Sequence, residues 1–154
     1  MEPLILNPSQ YRPNSPGNIP FKLLAEDTEG QLSLLEWTLS PWQSGPFLHA
    51  HDFAEAFYVI DGELEIQLGE RRHILGPRHL AWAPGGTPHA FANAAAREVT
   101  VLTICSPGGL EHFFAAQGDD PESFPDVPGL GLRLLGPRIR ATGAPELHPV
   151  EGSR

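Results

Sequence analysis

His49 and His51 stand two residues apart, Glu55 follows four positions later, and His89 comes thirty-four further on. Three imidazoles and a carboxylate are donor types that a divalent transition metal accepts. They sit in two short segments punctuated by glycine and proline. The first is Gly45-Pro-Phe-Leu-His49-Ala-His51-Asp-Phe-Ala-Glu55, closing at Gly62; the second is Gly76, then Pro84-Gly-Gly86-Thr-Pro-His89-Ala-Phe-Ala-Asn93. Burying four such groups without a partner would be costly. The pattern therefore points to a metal site, and three neutral imidazoles with one carboxylate leave coordination positions free for a substrate oxygen, dioxygen or water.

Spacing also says what must hold these residues. On a strand, residues two apart share a face, so His49, His51 and Glu55 can look into one interior; on a helix they would diverge. Short apolar runs separated by turn residues predict strands at 21–25, 31–39, 46–51, 55–61, 63–68, 72–75, 79–83, 88–92 and 98–105. Leu64-Glu-Ile-Gln-Leu68 alternates with Leu64, Ile66 and Leu68 inward and Glu63, Glu65 and Gln67 outward. Asp61-Gly62 reads as a tight hairpin, and Gly69-Glu70 as a second turn. A helix is predicted over 110–117, stopped by Gly118. Closely spaced strands without alternating helices make the fold all-β, an antiparallel sandwich or barrel.

With 154 residues the chain suits one domain. An extended arm is expected over 1–20, with five prolines, a barrel core over 21–106, and a helix followed by an irregular proline-rich tail over 107–154. The net charge of −9 argues against a nucleic-acid partner, since no basic stripe is present to neutralise phosphates. Cys105, the single cysteine, rules out an internal disulfide or a multi-cysteine zinc site and reads as a small buried hydrophobe. No apolar run approaches a membrane span, so no membrane partner is expected and the cytoplasm is the default compartment. His73, His79, His112 and His148 lack partners at ligand spacing and read as surface or hydrogen-bonding residues.

The two segments together resemble the paired motifs of the cupin superfamily. That family's first motif is met by Gly45…His49-x-His51-x3-Glu55-x6-Gly62, its second by Gly76…Pro84-x-Gly86-x-x-His89-x3-Asn93. Two loop lengths, Gly45 to His49 and Gly76 to Pro84, depart from the family's usual ones, outside the ligand spacings. The resemblance spans about residues 30–106. It implies a double-stranded β-helix, that is, a jelly-roll β-barrel with one short C-terminal helix. It also implies that His49, His51, Glu55 and His89 hold one divalent transition metal: iron, manganese, nickel, cobalt, copper or zinc. Ser106-Pro-Gly-Gly-Leu-Glu-His-Phe-Phe further resembles the turn into a helix of quercetinase-like single-domain cupins. Small barrels of this family commonly dimerise through exchanged N-terminal strands, so a homodimer built with Tyr11, Ile19 and Phe21 of the arm is expected.

Strand parity suggests the pocket. If the ligands face inward, so do Phe47, Phe57, Val59, Phe91 and Asn93, with Leu64, Ile66 and Leu68 nearby; Trp37 and Trp82 read first as core. Asn93, just before a turn, reads equally as a structural residue. Neither Gly45–Gly62 nor Pro84–Asn93 holds a Lys or Arg, so a multiply anionic substrate meets no fixed counter-charge there. An apolar or aromatic small molecule with metal-chelating oxygens fits. The expected activity is that of a metal-dependent dioxygenase resembling quercetinase, with Glu55 handling the substrate proton. A non-redox isomerase or lyase and a non-catalytic binding barrel are the alternatives, because one fold hosts all three.

Overall fold

A computed structural model describes residues 2–139. The strands expected from alternation are present: β1 Phe21–Leu23, β2 Ser33–Leu39, β3 Phe47–Ala50, β4 Ala54–Asp61, β5 Leu64–Leu68, β6 Arg71–Leu75, β7 Leu80–Ala83, β8 His89–Ala92 and β9 Val99–Ser106. Helix α1 spans Leu110–Gln117, as predicted. Burial alternates strictly along β2 and β9, the signature of strands with one face on the core. All pairings are antiparallel. One sheet runs β1-β2-β9-β4-β7, and the other, completed by β10 at Arg133–Arg138, runs β10-β3-β8-β5-β6. The all-β reading with one short helix holds.

Three expectations are corrected. Asp61-Gly62 is not a hairpin: β4 and β5 belong to different sheets, so the chain turns a corner of the barrel there. Gly62 has φ +83°, and a Cβ on it would collide with the Glu98 carbonyl oxygen. The glycine marks a close approach between chain segments rather than a two-residue turn. The tail is not wholly irregular either, since β10 pairs along β3, with Leu134 opposite His49 and Arg138 opposite Phe47. The third concerns Glu65, which faces away from the barrel interior as predicted yet is buried, with Arg72 Nη1 at 3.6 Å. Pro145, His148, Pro149 and the rest of the tail beyond 139 lie outside the described residues.

The core fills the space between the sheets. Leu35, Trp37 and Leu39 of β2, Phe57 and Val59 of β4, Leu64 and Ile66 of β5, and Val99 and Val101 of β9 are all buried. Phe113 and Phe114 extend it under α1. Cys105 is buried at the end of β9, and burial pushes its thiol well above the ordinary value. The arm is tied down by a two-point ion pair, Arg12 Nε and Nη2 to Asp27 at 2.9 and 2.7 Å, while Ile5 is 93% exposed. Among the described residues no helix is long and apolar enough to cross a membrane.

Candidate metal centre

The site forms where the two sheets face each other. His49 on β3 and His89 on β8 are paired directly across the ladder, and their rings lie 4.3 Å apart. His51 falls one residue past the end of β3, its ring stacked on Phe53 at 3.6 Å. Glu55 reaches in from β4 in the opposite sheet. The loop between β7 and β8 packs onto this edge: Gly86 N–H donates to the His51 carbonyl at 2.7 Å. A Cβ on Gly85 would strike the Asp52 carbonyl oxygen. The glycines of the second motif thus let its loop lie against the first. Gly45 serves similarly, with no room for a Cβ beside the Phe91 carbonyl.

All three imidazoles are oriented in the same way. Nδ1 of His49, His51 and His89 meets the backbone carbonyls of Phe47, Phe53 and Thr87 at 2.6, 2.8 and 2.8 Å. A carbonyl only accepts, so each Nδ1 carries its proton and, in a neutral ring, Nε2 is left as a lone pair. One ligand nitrogen from each of the three buried rings lies within 4.8 Å of the others. Glu55 Oε2 stands 2.9 Å from His51 Nε2 and 3.1 Å from His89 Nε2.

Electrostatics then test the fit of a cation. Neutral imidazole lone pairs facing a carboxylate at hydrogen-bond distance repel unless a positive charge lies between them. Protons can supply it, at the cost of charging buried rings; one divalent ion satisfies every donor at once. The trends of the metal-free groups express this competition. Burial alone would raise Glu55, but hydrogen bonds from His51 and His89 outweigh it and hold the carboxyl at about 2. Burial and the neighbouring His89 hold His49 down at about 3. Burial works against charge on His89 too, but its hydrogen bond to Glu55 prevails and raises its pKa. The three buried histidines are positioned to bind a metal, and the residues present fit one.

A cavity of about 520 Å³ opens onto His49 and Glu55. Its walls include Trp37, Phe47, Phe91, Phe113, Phe114 and Phe124, with Gln43, Asp119, Glu122 and Arg138 among the polar residues that also line it. Trp37 packs edge-on against Phe91 and Phe114 at 5.0 and 5.4 Å. Of the pocket residues read from parity, Phe47 and Phe91 line this space. Phe57 stands behind it against His89, ring centroids 5.6 Å apart. Val59, Leu64 and Ile66 are inward but belong to the core farther along the barrel, and they do not line the cavity. Asn93 is structural: its Nδ2 donates to the carbonyls of Leu39, Ser40 and Arg97, and its Oδ1 accepts from Ala95 N–H. Trp82 is exposed on the outside of the barrel.

Three contributors, Phe113, Phe114 and Arg138, were not legible as site residues. Phe113 and Phe114 look like any apolar helix face, and only the docking of α1 over the barrel mouth brings them to the cavity. Arg138 arrives on β10, outside both motifs, with its guanidinium 4.0 Å above the Phe47 ring. It donates to the Gly45 and Pro121 carbonyls and to Glu122 at the cavity rim.

The family model of the cupin domain, Cupin_2, matches residues 35–105, a stretch containing both motif segments. That stretch of the barrel is a cupin domain. The protein is similar in fold to the polyketide cyclase RemF from Streptomyces resistomycificus, with TM-score 0.58 and 21% identity over 68% of this chain and 80% of that one. An uncharacterised double-stranded β-helix protein from Klebsiella pneumoniae matches with TM-score 0.56 and 22% identity, over 70% of this chain and 93% of that one. TT1209 from Thermus thermophilus matches with TM-score 0.50 and 24% identity, over 64% and 90%. No curated protein matches the chain in sequence. At these identities the likeness concerns the fold alone.

Proposed function

We propose that this cupin is a metal-dependent dioxygenase, resembling quercetinase in activity, that acts on an enolic, largely aromatic small molecule. The observation that carries the reading is the set of three buried imidazoles, each fixed through Nδ1, with His51 and His89 meeting Glu55 through Nε2, beside an aromatic cavity that His49 and Glu55 line. His49, His51, His89 and Glu55 would hold the metal, whose part is to act as a Lewis acid toward a hydroxyl–ketone pair. The rest falls to the chain. Cavity access is from the side of His49 and Glu55, while His51 and His89 lie behind. Phe47, Phe91 and Trp37 offer ring faces and edges to a planar substrate and exclude water from the reacting end. Glu55 is the one carboxylate at that end, placed to accept the proton of an enolic hydroxyl through Oε2. Arg138 already gives three of its N–H groups to Glu122 and two carbonyls, with Glu122 countering its charge.

The test is elemental analysis of untagged protein and of His51→Ala, followed by oxygen consumption with a flavonol. About one equivalent of a redox-capable ion, lost in the variant, with oxygen uptake on flavonol addition, supports the proposal. Turnover of an enolic substrate without oxygen uptake would assign a non-redox isomerase or lyase instead. Binding without turnover would leave a non-catalytic barrel. Absence of metal after reloading would remove the foundation of all three.

A further inference from the structure

Past its aromatic stretch the cavity is walled by side chains of a different kind. Along β3 the chain runs from His49 to Phe47, about 7 Å on, and from there into the loop that carries Gly45, Ser44 and Gln43. Gln117 at the end of α1, with Asp119 and Glu122 just after it, lines the same space. Arg138 joins the two segments, donating to the Gly45 carbonyl on one and the Pro121 carbonyl on the other. The hydrogen bonds already made in this rim fix what it still offers. Gln43 Oε1 accepts from Ser40 N–H at 2.8 Å, so its amide presents the N–H groups of Nε2 elsewhere. Gln117 is the converse: Nε2 donates to the Ser123 carbonyl at 2.8 Å, which leaves Oε1 as an acceptor. Neither amide can be turned round, because a backbone N–H only donates and a carbonyl only accepts. Ser44 Oγ donates to the Ile139 carbonyl and keeps its lone pairs. Glu122 lies 3.0 Å from Arg138, whereas Asp119 has no ion-pair partner among the described residues.

We infer that this rim is a second subsite of the cavity, which takes an uncharged, hydroxyl-rich group, specifically a glycosyl ring, on the end of the substrate remote from the metal. The inference rests on the reading of the site as one for an enolic, aromatic small molecule. It names the form of that molecule: a glycoside whose hydroxyl–ketone pair is free. Hydroxyls are the fitting partners because each one both donates and accepts. The rim offers one amide donor, Gln43 Nε2, and a set of acceptors in Gln117 Oε1, Ser44 Oγ and the Asp119 carboxylate. A phosphate or carboxylate would instead meet two acids against one guanidinium that Glu122 already counters. A purely apolar group would cover these amides and leave them unpaired, which is costly. The rings of Phe47 and Phe124 stand beside them and give the C–H face of a sugar an apolar surface. The cavity volume of about 520 Å³ lies within the range of about 300–1,000 Å³ that holds drug-sized ligands, so one sugar ring beyond the aromatic part is accommodated.

Anaerobic calorimetric titration of the metal-loaded full chain separates the rim from the metal end. The probes are a flavonol, its glucoside with the sugar on the ring remote from the hydroxyl–ketone pair, and the matching glucuronide. All three keep the chelating pair. The glucoside should bind about tenfold tighter than the flavonol, the worth of two ordinary hydrogen bonds. The glucuronide differs from the glucoside by one carboxylate and should bind more weakly than it. This series needs no variant. Gln43→Glu keeps the acceptor for Ser40 N–H and puts an acceptor where the free donor was; it should reduce the advantage of the glucoside to about twofold or less. Asp119→Ala, at an exposed position, should reduce it in part. Both variants should keep the far-UV spectrum and metal stoichiometry of the wild type. Equal affinity for flavonol and glucoside would overturn the inference while leaving the aromatic reading in place. So would a glucuronide that binds as tightly as the glucoside, or an advantage that survives both variants. Failure of all three probes to bind would remove the aromatic reading itself, and this inference with it.

Discussion

Replacing Glu55 by Gln keeps the volume of the side chain and removes its charge, which isolates what the carboxylate does. In the metal-free protein Glu55 Oε2 is within hydrogen-bond distance of two imidazoles, at 2.9 and 3.1 Å, in a buried setting. Hydrogen bonds to a charged group contribute about 1.5–3 kcal/mol each. A glutamine whose carbonyl oxygen takes the place of Oε2 still faces both rings but brings no charge, so two charge-assisted bonds become ordinary ones and the expected loss is about 3 kcal/mol. For a domain of this size that corresponds to a fall of about 6–12 °C in Tm.

The same substitution has a pH signature. Glu55 is held at about 2 against an ordinary value of 4.5. A depressed carboxyl contributes stability that is fully present above the unfolded value and is lost as pH falls through the folded one. Wild-type stability should therefore decline between about pH 4.5 and 2, and Glu55→Gln should lack that part of the decline. His49, held at about 3 against 6.5, acts in the same sense. The unfolded ring takes up a proton below about 6.5 while the buried ring does not, so this contribution falls from about pH 6.5 toward 3 in both proteins. Metal adds a third readout. Free metal at about 100 times the wild-type Kd should add about 2.7 kcal/mol of stability, and Glu55→Gln should gain far less at the same concentration. Thermal melts across pH, with and without added metal, measure all three. A variant with the wild-type Tm, acid limb and metal-induced shift would refute the assignment of Glu55 as the charged partner of the imidazoles.

Other substitutions separate scaffold from site. Asn93→Ala should cost about 2–4 kcal/mol by denaturant unfolding, since it abandons three buried carbonyls and one N–H, yet bind the same equivalents of metal. Loss of metal without loss of stability would show instead that Asn93 serves the site. Arg138→Ala should weaken binding of a flavonol probe, because it unties the Gly45 and Pro121 sides of the cavity rim. Its effect on stability should stay within about 1 kcal/mol, as the Glu122 partner is exposed; unchanged probe affinity in a titration would remove Arg138 from the cavity's function. Cys105 should resist a thiol reagent in the native protein and react fully in denaturant; rapid native labelling would contradict its burial.

The legible part of this protein is the part that depends on neighbours along the chain. Alternation with period two located nine strands and said which side chains share a side, because successive residues on any strand point to opposite faces. The same local rule placed His49 and His89 toward one interior, and helix α1 was found between its flanking glycines. β10 escaped notice because Leu134-Leu135-Gly136-Pro137 does not alternate. Its strand conformation is maintained by pairing with β3, more than eighty residues earlier. Asp61-Gly62 carried the right residues for a hairpin, and nothing local reveals that the chain there passes from one sheet to the other.

Depth and closure were decided by tertiary structure alone. Parity gave Val59, Leu64 and Ile66 the same direction as Glu55 but could not say how far along the barrel each would lie, since that depends on register between distant strands. Direction likewise could not tell that Glu65, facing outward, would be covered, or that Trp82 on an outer face would not. The sequence by itself determined the donor set, the all-β framework and the side from which each donor enters, all consequences of side-chain chemistry and backbone period. The fold decided that Glu55 meets His51 and His89 across the gap between two sheets, with His49 beside them, and that α1 and β10 complete an aromatic cavity there. These are outcomes of packing between segments far apart in the chain, where no local pattern fixes the partner.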